Sequence, residues 1–597
     1  MLHTDATSSP RSPSVSASET PSPPRPPPLR KLLKEEAKAR KAAGYRKPKG
    51  PETQTVPGWE LTVGIEIHAQ LNTARKLFSS AANTFDTKPN THTAFFDLAI
   101  PGSQPVFQRE TLVPAVRAAL ALGCDVQRVS RWDRKHYMHW DQPAGYQLTQ
   151  YYEPLARDGH ITLYARDGIA AADGAAVRVD IQQVQMEQDT AKTVAQAAGV
   201  RWLDFNRAGA PLLEIITRPQ LHHPATAAAL VRKVQQLLTA VDACVVGMEE
   251  GGLRADVNVS VRRAAAAGPA APLGTRVEIK NLVSFRGIQA AIVHERDRQI
   301  ALIEAGGEVR PETRRWDGFD SVSLRGKEGV VDYRYMPDPD LGPVVIGDDV
   351  VDHLRSSMGE LPDTEIEGLV RCYGLTPKDA SALVLLDGGG RVEFYYNVVD
   401  AMEDRLGAEG HITDGEATAS PSGAVSHRAL AGKWVLNELG RLTSERNAAQ
   451  GDGPTDLEMT AEGTCRIPTA HLADILFYLH RKRITAEVAK DLLFAVHRGD
   501  VSDVTEAIEA AGLWFRGLSA AEYQQLAQAV LESDASVMKA FARAKTYPEG
   551  KLMFLVGNMM RAGPEGRVDA KTAADVMREL VRTRLAAFEA GESGPES

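Results

Sequence analysis

Apolar and polar side chains alternate strictly through VGIEIHAQL. As an extended strand, Val63, Ile65, Ile67 and Ala69 share one side, and Gly64, Glu66, His68 and Gln70 the other. The same period of two recurs in GLRADVNVSVR, where Leu253, Ala255, Val257, Val259 and Val261 oppose Arg254, Asp256, Asn258, Ser260 and Arg262. In TRVEIKN, Val277 and Ile279 oppose Arg276, Glu278 and Lys280. AVRVDIQQVQMEQD also alternates but slips phase near Gln183, which predicts a bulge. Helical periods intervene, from about 225 to 241 and from about 284 to 305. Strand runs mixed with helices, without a strict βαβ repeat, predict an α+β domain with largely antiparallel pairing.

Past about residue 349 the period becomes helical. Thr376-Pro377-Lys378-Asp379 reads as an N-cap, a proline at the first helical position and an acid two residues later. Ser519 and Glu522 form a second capping box. Stretches rich in Gly, Ser and Asp near 407–426 and 446–454 read as surface insertions. Three short helical patterns after about 534 read as a small tail domain. The predicted organisation is an extension over 1–57, an α+β domain over 58–348, a helical domain over 349–533 and a helical tail over 534–597.

Composition narrows the classes. The chain has 597 residues, 43% hydrophobic and 25% charged, which suits several globular domains. No apolar run is long enough to span a bilayer. A net charge of -9 argues against a general nucleic-acid coat but leaves room for a local basic face. The four cysteines lie far apart with no CxxC pair, so neither a cysteine zinc site nor a disulfide framework is expected, and a reducing compartment fits. The first 57 residues are rich in Ser and Pro, then in Lys and Arg, and cannot bury a core. They have few acids before Glu35, as in an organellar transit peptide; a plain disordered tail is the alternative.

The polar faces carry the candidate chemistry. Glu66, Glu187, Asp256 and Glu278 each lie on a strand, and Glu214 interrupts the apolar run in NRAGAPLLEIITRPQL. Together with His68, such acids on one face would repel unless a cation lay among them. Oxygen donors suit Mg²⁺, and an added imidazole also suits Mn²⁺ or Zn²⁺. The ordinary alternative is a sheet with one wet face. No GxxxxGK[ST], GxGxxG, HExxH or GxSxG occurs, so any nucleotide must be gripped by side chains and metal. Gly251 and Gly252 could admit a ligand to the backbone or simply make a turn. HYMHWDQPAGYQLTQYYEPL, with His136, His139, Asp141, Gln147 and Gln150 among aromatics, suits base stacking or a core strand equally. The stiff loop DYRYMPDPDLGP, with Asp332, Arg334, Asp338 and Asp340, could border a site or close a domain.

Taken in order, VGIEIHAQL, YQLTQ, NRAGAPLLEI, MEEGGLRADVNVSVR, VEIKNLVSFRGIQAAI and DYRYMPDPDL resemble the B subunit of the glutamyl-tRNA(Gln) amidotransferase, the GatB/GatE family. The likeness covers nearly all of 59–346 and continues more weakly to LVGNMMRAGPEGRVDAKTAADVMREL. It implies a cradle-like catalytic domain that binds Glu-tRNA(Gln), phosphorylates the glutamate γ-carboxylate with ATP and Mg²⁺, and lets ammonia displace the phosphate. The implied partners are a glutaminase (amidase) subunit, the A component of such complexes, and a small C component or an equivalent accessory subunit. By similarity, Glu66, His68 and Glu187 are metal ligands, Glu214 and Asp256 are further catalytic groups, and Arg254 and Lys280 contact phosphate. The tail resembles a tRNA-gripping region, with Lys539, Arg543, Lys545, Arg561 and Arg567 as candidates.

The sequence also departs from the family pattern. Cysteines that hold a structural zinc in many bacterial relatives are missing from KLFSSAANTF and THTAFFDLAIPG, so that zinc is not expected and packing must hold the loop. His-x-Glu-Glu-Asp is replaced by Gln185-Met186-Glu187-Gln188-Asp189, leaving Glu187 alone to bind metal there. A usual lysine is Ala144. With the extension, these changes imply a mitochondrial member, with a plastid as the alternative. A decayed tRNA-binding scaffold and an unrelated metallohydrolase are the competing functions; intact Glu66, His68, Glu214 and Asp256 argue against the first, and the helical tail against the second.

Overall fold

The computed structural model describes residues 54–589, apart from 86, 197–199, 245, 265–270, 327–332, 409–425, 443–456, 516, 534–540, 542–547 and 565–566. The extension, both predicted insertions for the most part, and the first helical pattern of the tail lie outside the described residues, as do Asp332, Lys539, Arg543 and Lys545.

One nine-stranded sheet organises the first half. Its strands are β1 (Trp59–Gln70), β2 (Asp125–Val126), β3 (Ala156–Tyr164), β4 (Ala176–Gln188), β5 (Pro211–Thr217), β6 (Leu253–Arg263), β7 (Val277–Leu282), β8 (Glu312–Trp316) and β9 (Ser321–Gly326). They lie in the order β9-β8-β7-β6-β1-β5-β4-β3-β2. The first strand is thus central, and the others flank it in chain order. Every pair is antiparallel except β7 and β8, which are parallel. The helix Phe285–Glu304 connects that pair, because parallel neighbours need a crossover.

The apolar side of the alternation is buried completely. Val63, Ile67, Leu213, Ile215, Val257, Val259, Val277 and Ile279 are each 0% exposed. Two helices cover this side, α1 (Pro224–Ala240) and α2 (Phe285–Glu304). Gln299 of α2 donates to the Val259 carbonyl at 3.1 Å, which fixes that helix on β6.

The bulge expected near Gln183 is present. Ile216 pairs with Gln183, but Thr217 pairs with Ile181, so one residue of β4 is skipped. On the polar side, a small sheet of Asp133–His136, Tyr146–Thr149 and Met336–Pro337 packs against β4. Arg134 anchors its loop through Asp338 at 2.6 Å and Asp340 at 3.0 Å, so the described part of that stretch, YRYMPDPDLGP from Tyr333, closes this small sheet.

The loop that lacks cysteines is held by more than the expected packing. Lys76 and Asp97 pair at 2.9 Å with side chains 0% and 1% exposed. The Lys76 ammonium also donates to the Phe205 carbonyl at 3.1 Å, and Phe78 meets Trp132 edge-on at 4.8 Å.

The second half is helical. α3 (Pro362–Tyr373), α4 (Pro377–Leu385), α5 (Gly390–Ala408), α6 (Thr469–His480) and α7 (Ala486–Arg498) share a core that includes Phe394, Met402, Leu472 and Leu492. Thr376 caps α4, accepting from the Asp379 amide at 3.1 Å. The tail core joins α8 (Ala520–Ser533), α9 (Glu549–Ala562) and α10 (Ala570–Glu589) through Tyr523, Leu552, Met559 and Met577. Its capping box is formed, with Ser519 N–H donating to Glu522 at 2.7 Å. Among the described residues no helix is long and apolar enough to cross a membrane.

Candidate active site on the polar face of the central strand

Pairing register brings the polar residues together. His68 lies opposite Glu214 on one side and Arg254 on the other, and Glu214 lies opposite Gln185. Glu66 lies opposite Asp256, and Asn258 opposite Glu278. Residues directly across a ladder point to the same face, so a row of polar groups crosses four strands.

These groups form two clusters side by side. In one, His68, Glu187 and Glu214 each offer a donor atom within 4.8 Å of the others; in the second, Glu66, Asp256 and Glu278 do the same. The three metal ligands expected from the sequence therefore do not form one set: Glu66 falls in one cluster, His68 and Glu187 in the other. Glu187 does not stand alone as a donor, since Glu214 and His68 lie beside it. Gln188 is turned away and buried, donating to the Tyr146 carbonyl at 3.4 Å.

The surroundings of the imidazole cluster are highly polar and nearly dry. Glu214 is 7% exposed and Glu187 2%. His68 Nε2 lies 3.6 Å from Glu214, and Gln185 donates to the other Glu214 oxygen at 2.7 Å. Lys135 and Gln147, from the small sheet, reach Glu187 at 3.4 and 3.2 Å. Burial pushes the Glu187 carboxyl up despite Lys135. Burial likewise lowers the His68 imidazole, against the pull of Asp256 and Glu187, so the neutral ring is favoured. For Lys135 the cost of burial is outweighed by Glu187 and Glu214, which hold it protonated.

The all-carboxylate cluster is balanced by one cation. Lys280 lies 2.6 Å from Asp256 and 3.2 Å from Glu278 and is 41% exposed. Burial would raise the Asp256 carboxyl, but Lys280 and His68 outweigh it and the net shift is downward. Glu66 is pushed up, first by burial and then by Glu214, Asp256 and Glu278. A second bulge aims Lys280: pairing jumps from Ala255 with Leu282 to Val257 with Ile279, and Asn281 takes φ +67°. Asparagine tolerates this left-handed conformation better than most residues.

Arg254 is engaged elsewhere in the same neighbourhood, 2.7 Å from buried Asp189. Gly251 and Gly252 make the turn into β6; a Cβ on Gly252 would lie 2.4 Å from the Val246 carbonyl oxygen. Of the described tail candidates, Arg561 donates to Asn558 along its own helix. From the sequence, Lys135 has no part in the site, Gln147 enters only in the aromatic segment and Gln185 only as a departure from the family motif. Glu278 counts among the acids that need a cation but not among the ligands implied by the resemblance. Glu278 carried a signal, its alternation in TRVEIKN. Lys135 carried none, because a four-residue strand has too short a pattern to reveal what it covers.

A family model described as the GatB/GatE catalytic domain matches residues 61–352, and one described as the GatB domain matches residues 422–581. A Neurospora crassa protein is 58% identical over 95% of this chain and 88% of its own length. Relatives from Fusarium vanettenii (56%, covering 95% and 91%) and Pyricularia oryzae (57%, covering 94% and 89%) are similar. All three are named as the mitochondrial B subunit of glutamyl-tRNA(Gln) amidotransferase. The chain belongs to the GatB/GatE family. It is a mitochondrial subunit of a ligase-type, tRNA-dependent amidotransferase. The catalytic-domain match spans the nine-stranded sheet except the first two residues of β1, and includes both donor clusters.

Proposed function

We propose that this chain is the synthetic subunit that converts Glu-tRNA(Gln) into Gln-tRNA(Gln) on the polar face of β1. An oxygen of the tRNA-bound glutamate's γ-carboxylate attacks the γ-phosphorus of ATP, and ADP leaves. Ammonia then attacks the acyl carbon, the bond to the phosphate oxygen breaks, and inorganic phosphate departs. A proton passes from the nitrogen to a base of the site. One observation carries this reading: two clusters of metal-type donors converge on one face of the central strand.

The residues fit a divalent cation. Carboxyls held above their usual range, as at Glu66 and Glu187, mark negative groups whose charge burial disfavours. Glu66, Asp256 and Glu278 would hold Mg²⁺, and His68, Glu187 and Glu214 would hold Mg²⁺ or a softer ion. Bound there, such an ion neutralises phosphate oxygens and aligns the carboxylate for attack.

The chain's own groups do the rest. Lys280, partly exposed, can turn from Asp256 to a phosphate oxygen, with Arg254 as a second positive charge beside it. Glu187, whose carboxyl burial pushes up, is suited to receive the proton from nitrogen, while His68 in its neutral form is able to bind the ion. The dry setting of Glu187 and Glu214 protects an acyl phosphate from water and favours ammonia over ammonium. The ammonia is assigned to glutamine hydrolysis on the amidase component, with the small C component or its equivalent completing the complex.

The test is isotopic. In the complex reconstituted with these partners, ¹⁸O in the glutamate γ-carboxylate is expected to appear in inorganic phosphate, one atom per amide formed. Unlabelled phosphate alongside amide product would exclude the acyl phosphate, and tRNA binding without turnover would mark a scaffold.

A further inference from the structure

Four tyrosines stand beside the His68–Glu187–Glu214 cluster, outside both donor sets. Tyr151 and Tyr335 stack with centroids 4.0 Å apart and planes 6° from parallel. Tyr152 meets them edge-on at 5.1 and 6.2 Å, and Tyr333 meets Tyr335 edge-on at 5.8 Å. Although packed on each other, Tyr151 and Tyr152 remain 42% and 55% exposed. Aromatic rings beside a charged site gain little for stability while they face water.

Two chains of contacts tie the shelf to the site. Lys135 lies 5.2 Å from the Tyr333 ring centre and 3.4 Å from Glu187. The Tyr151 carbonyl accepts from Gln183 at 3.4 Å, Gln183 donates to Gln185 at 2.5 Å, and Gln185 donates to Glu214 at 2.7 Å.

We propose that Tyr151, backed by Tyr335 and edged by Tyr152, is a subsite for an adenine ring. The inference rests on the reaction assigned above, in which both base-bearing reactants present adenine. ATP carries it, and so does the 3′-terminal adenosine of the tRNA to which glutamate is esterified. In each, the reacting group is several bonds from the ring, so a base on Tyr151 leaves chain enough for that group to reach the acidic clusters. With no glycine-rich phosphate loop in the chain, side chains must supply the grip. A stack already formed holds its rotamers, so little entropy is lost when a base is added.

Binding distinguishes the two sources without relying on turnover. In the assembled complex, Kd is measured for ATP with Mg²⁺, for tRNA, and for the same tRNA lacking its terminal adenosine. Tyr151→Ala is expected to weaken ATP or intact tRNA by about five- to a hundredfold, the range of one base–aromatic stack. Tyr151→Phe, which keeps the ring, is expected to bind like wild type. Weakened ATP assigns the shelf to the nucleotide. Weakened intact tRNA, with truncated tRNA unaffected, assigns it to the terminal adenosine. The shelf is refuted if Tyr151→Ala binds both ligands as wild type does, or if Tyr151→Phe loses as much as Tyr151→Ala. Absence of ¹⁸O transfer, with these binding effects intact, would remove the assigned reaction but leave the shelf.

Discussion

Glu66 shows most plainly how a group of the proposed site works against the fold. Its folded carboxyl is held above the unfolded value by burial and three neighbouring acids. The sign follows directly. The native state binds this proton more tightly than the unfolded chain, so stability falls as the pH rises from 4.5 through the folded value, and the carboxylate costs stability once ionised. Glu66→Gln is therefore expected to raise the thermal midpoint of the metal-free protein while cutting amidation by about 10²- to 10³-fold. Calorimetry showing a lower midpoint would contradict this assignment. His68 shifts the other way, below 6.5, so its neutral form is favoured by the fold. The unfolded chain takes up this proton first, and stability from the neutral ring is lost as pH falls from about 6.5. Amidation should hold its rate until the pH is below that of an ordinary imidazole, and His68→Asn should remove that acid limb. A pH–rate profile on both proteins checks it.

At the scale of elements, the bulge in β7 does what alternation alone could not. Asn281 at φ +67° breaks the register and brings Lys280 onto Asp256. A β-branched residue there would be strained by about 1–3 kcal/mol. Asn281→Val should thus lose stability and activity together, and Asn281→Gly should keep most of both; thermal midpoints and initial rates on the two variants decide. Legibility in the sequence divides along the same line. The strands and their buried sides could be read because Val63, Ile67, Val257 and Ile279 repeat every second residue. The bulge near Gln183 could be read because an apolar residue arrives out of phase. The bulge at Asn281 could not, since VEIKNL shows only polar letters where the slip occurs. Nor could the sequence show that β1 is central, because pairing order is a property of neighbours. That order is what splits Glu66 from His68 into separate clusters.

For the molecule as a whole, the helical domain is joined to the sheet domain by charge as well as packing. Lys233 on α1, with a side chain 2% exposed, pairs with Asp167 at 3.3 Å and with Asp363 of α3 at 2.5 Å. Arg166 adds a second bond to Asp363 at 2.7 Å. Removing Lys233 strips Asp167 of its ion pair while Arg166 still holds Asp363, so the cost should fall below the figure of about 3–5 kcal/mol for breaking a fully buried pair. Lys233→Ala is expected to lower the denaturation midpoint by a corresponding amount, read by urea titration; an unchanged midpoint would mean that the join carries no weight. The helical caps at Thr376 and Ser519 were legible, whereas this join was not, because Lys233 and Asp363 lie 130 residues apart.

The central claim is that two clusters on one sheet face each take a divalent cation. Mn²⁺ titration followed by electron paramagnetic resonance tests it most directly. Wild type is expected to bind two ions; Glu66→Gln or Asp256→Asn should abolish one, and His68→Ala or Glu214→Gln the other. Variants that all bind like wild type, or a wild type with no saturable binding, would contradict it.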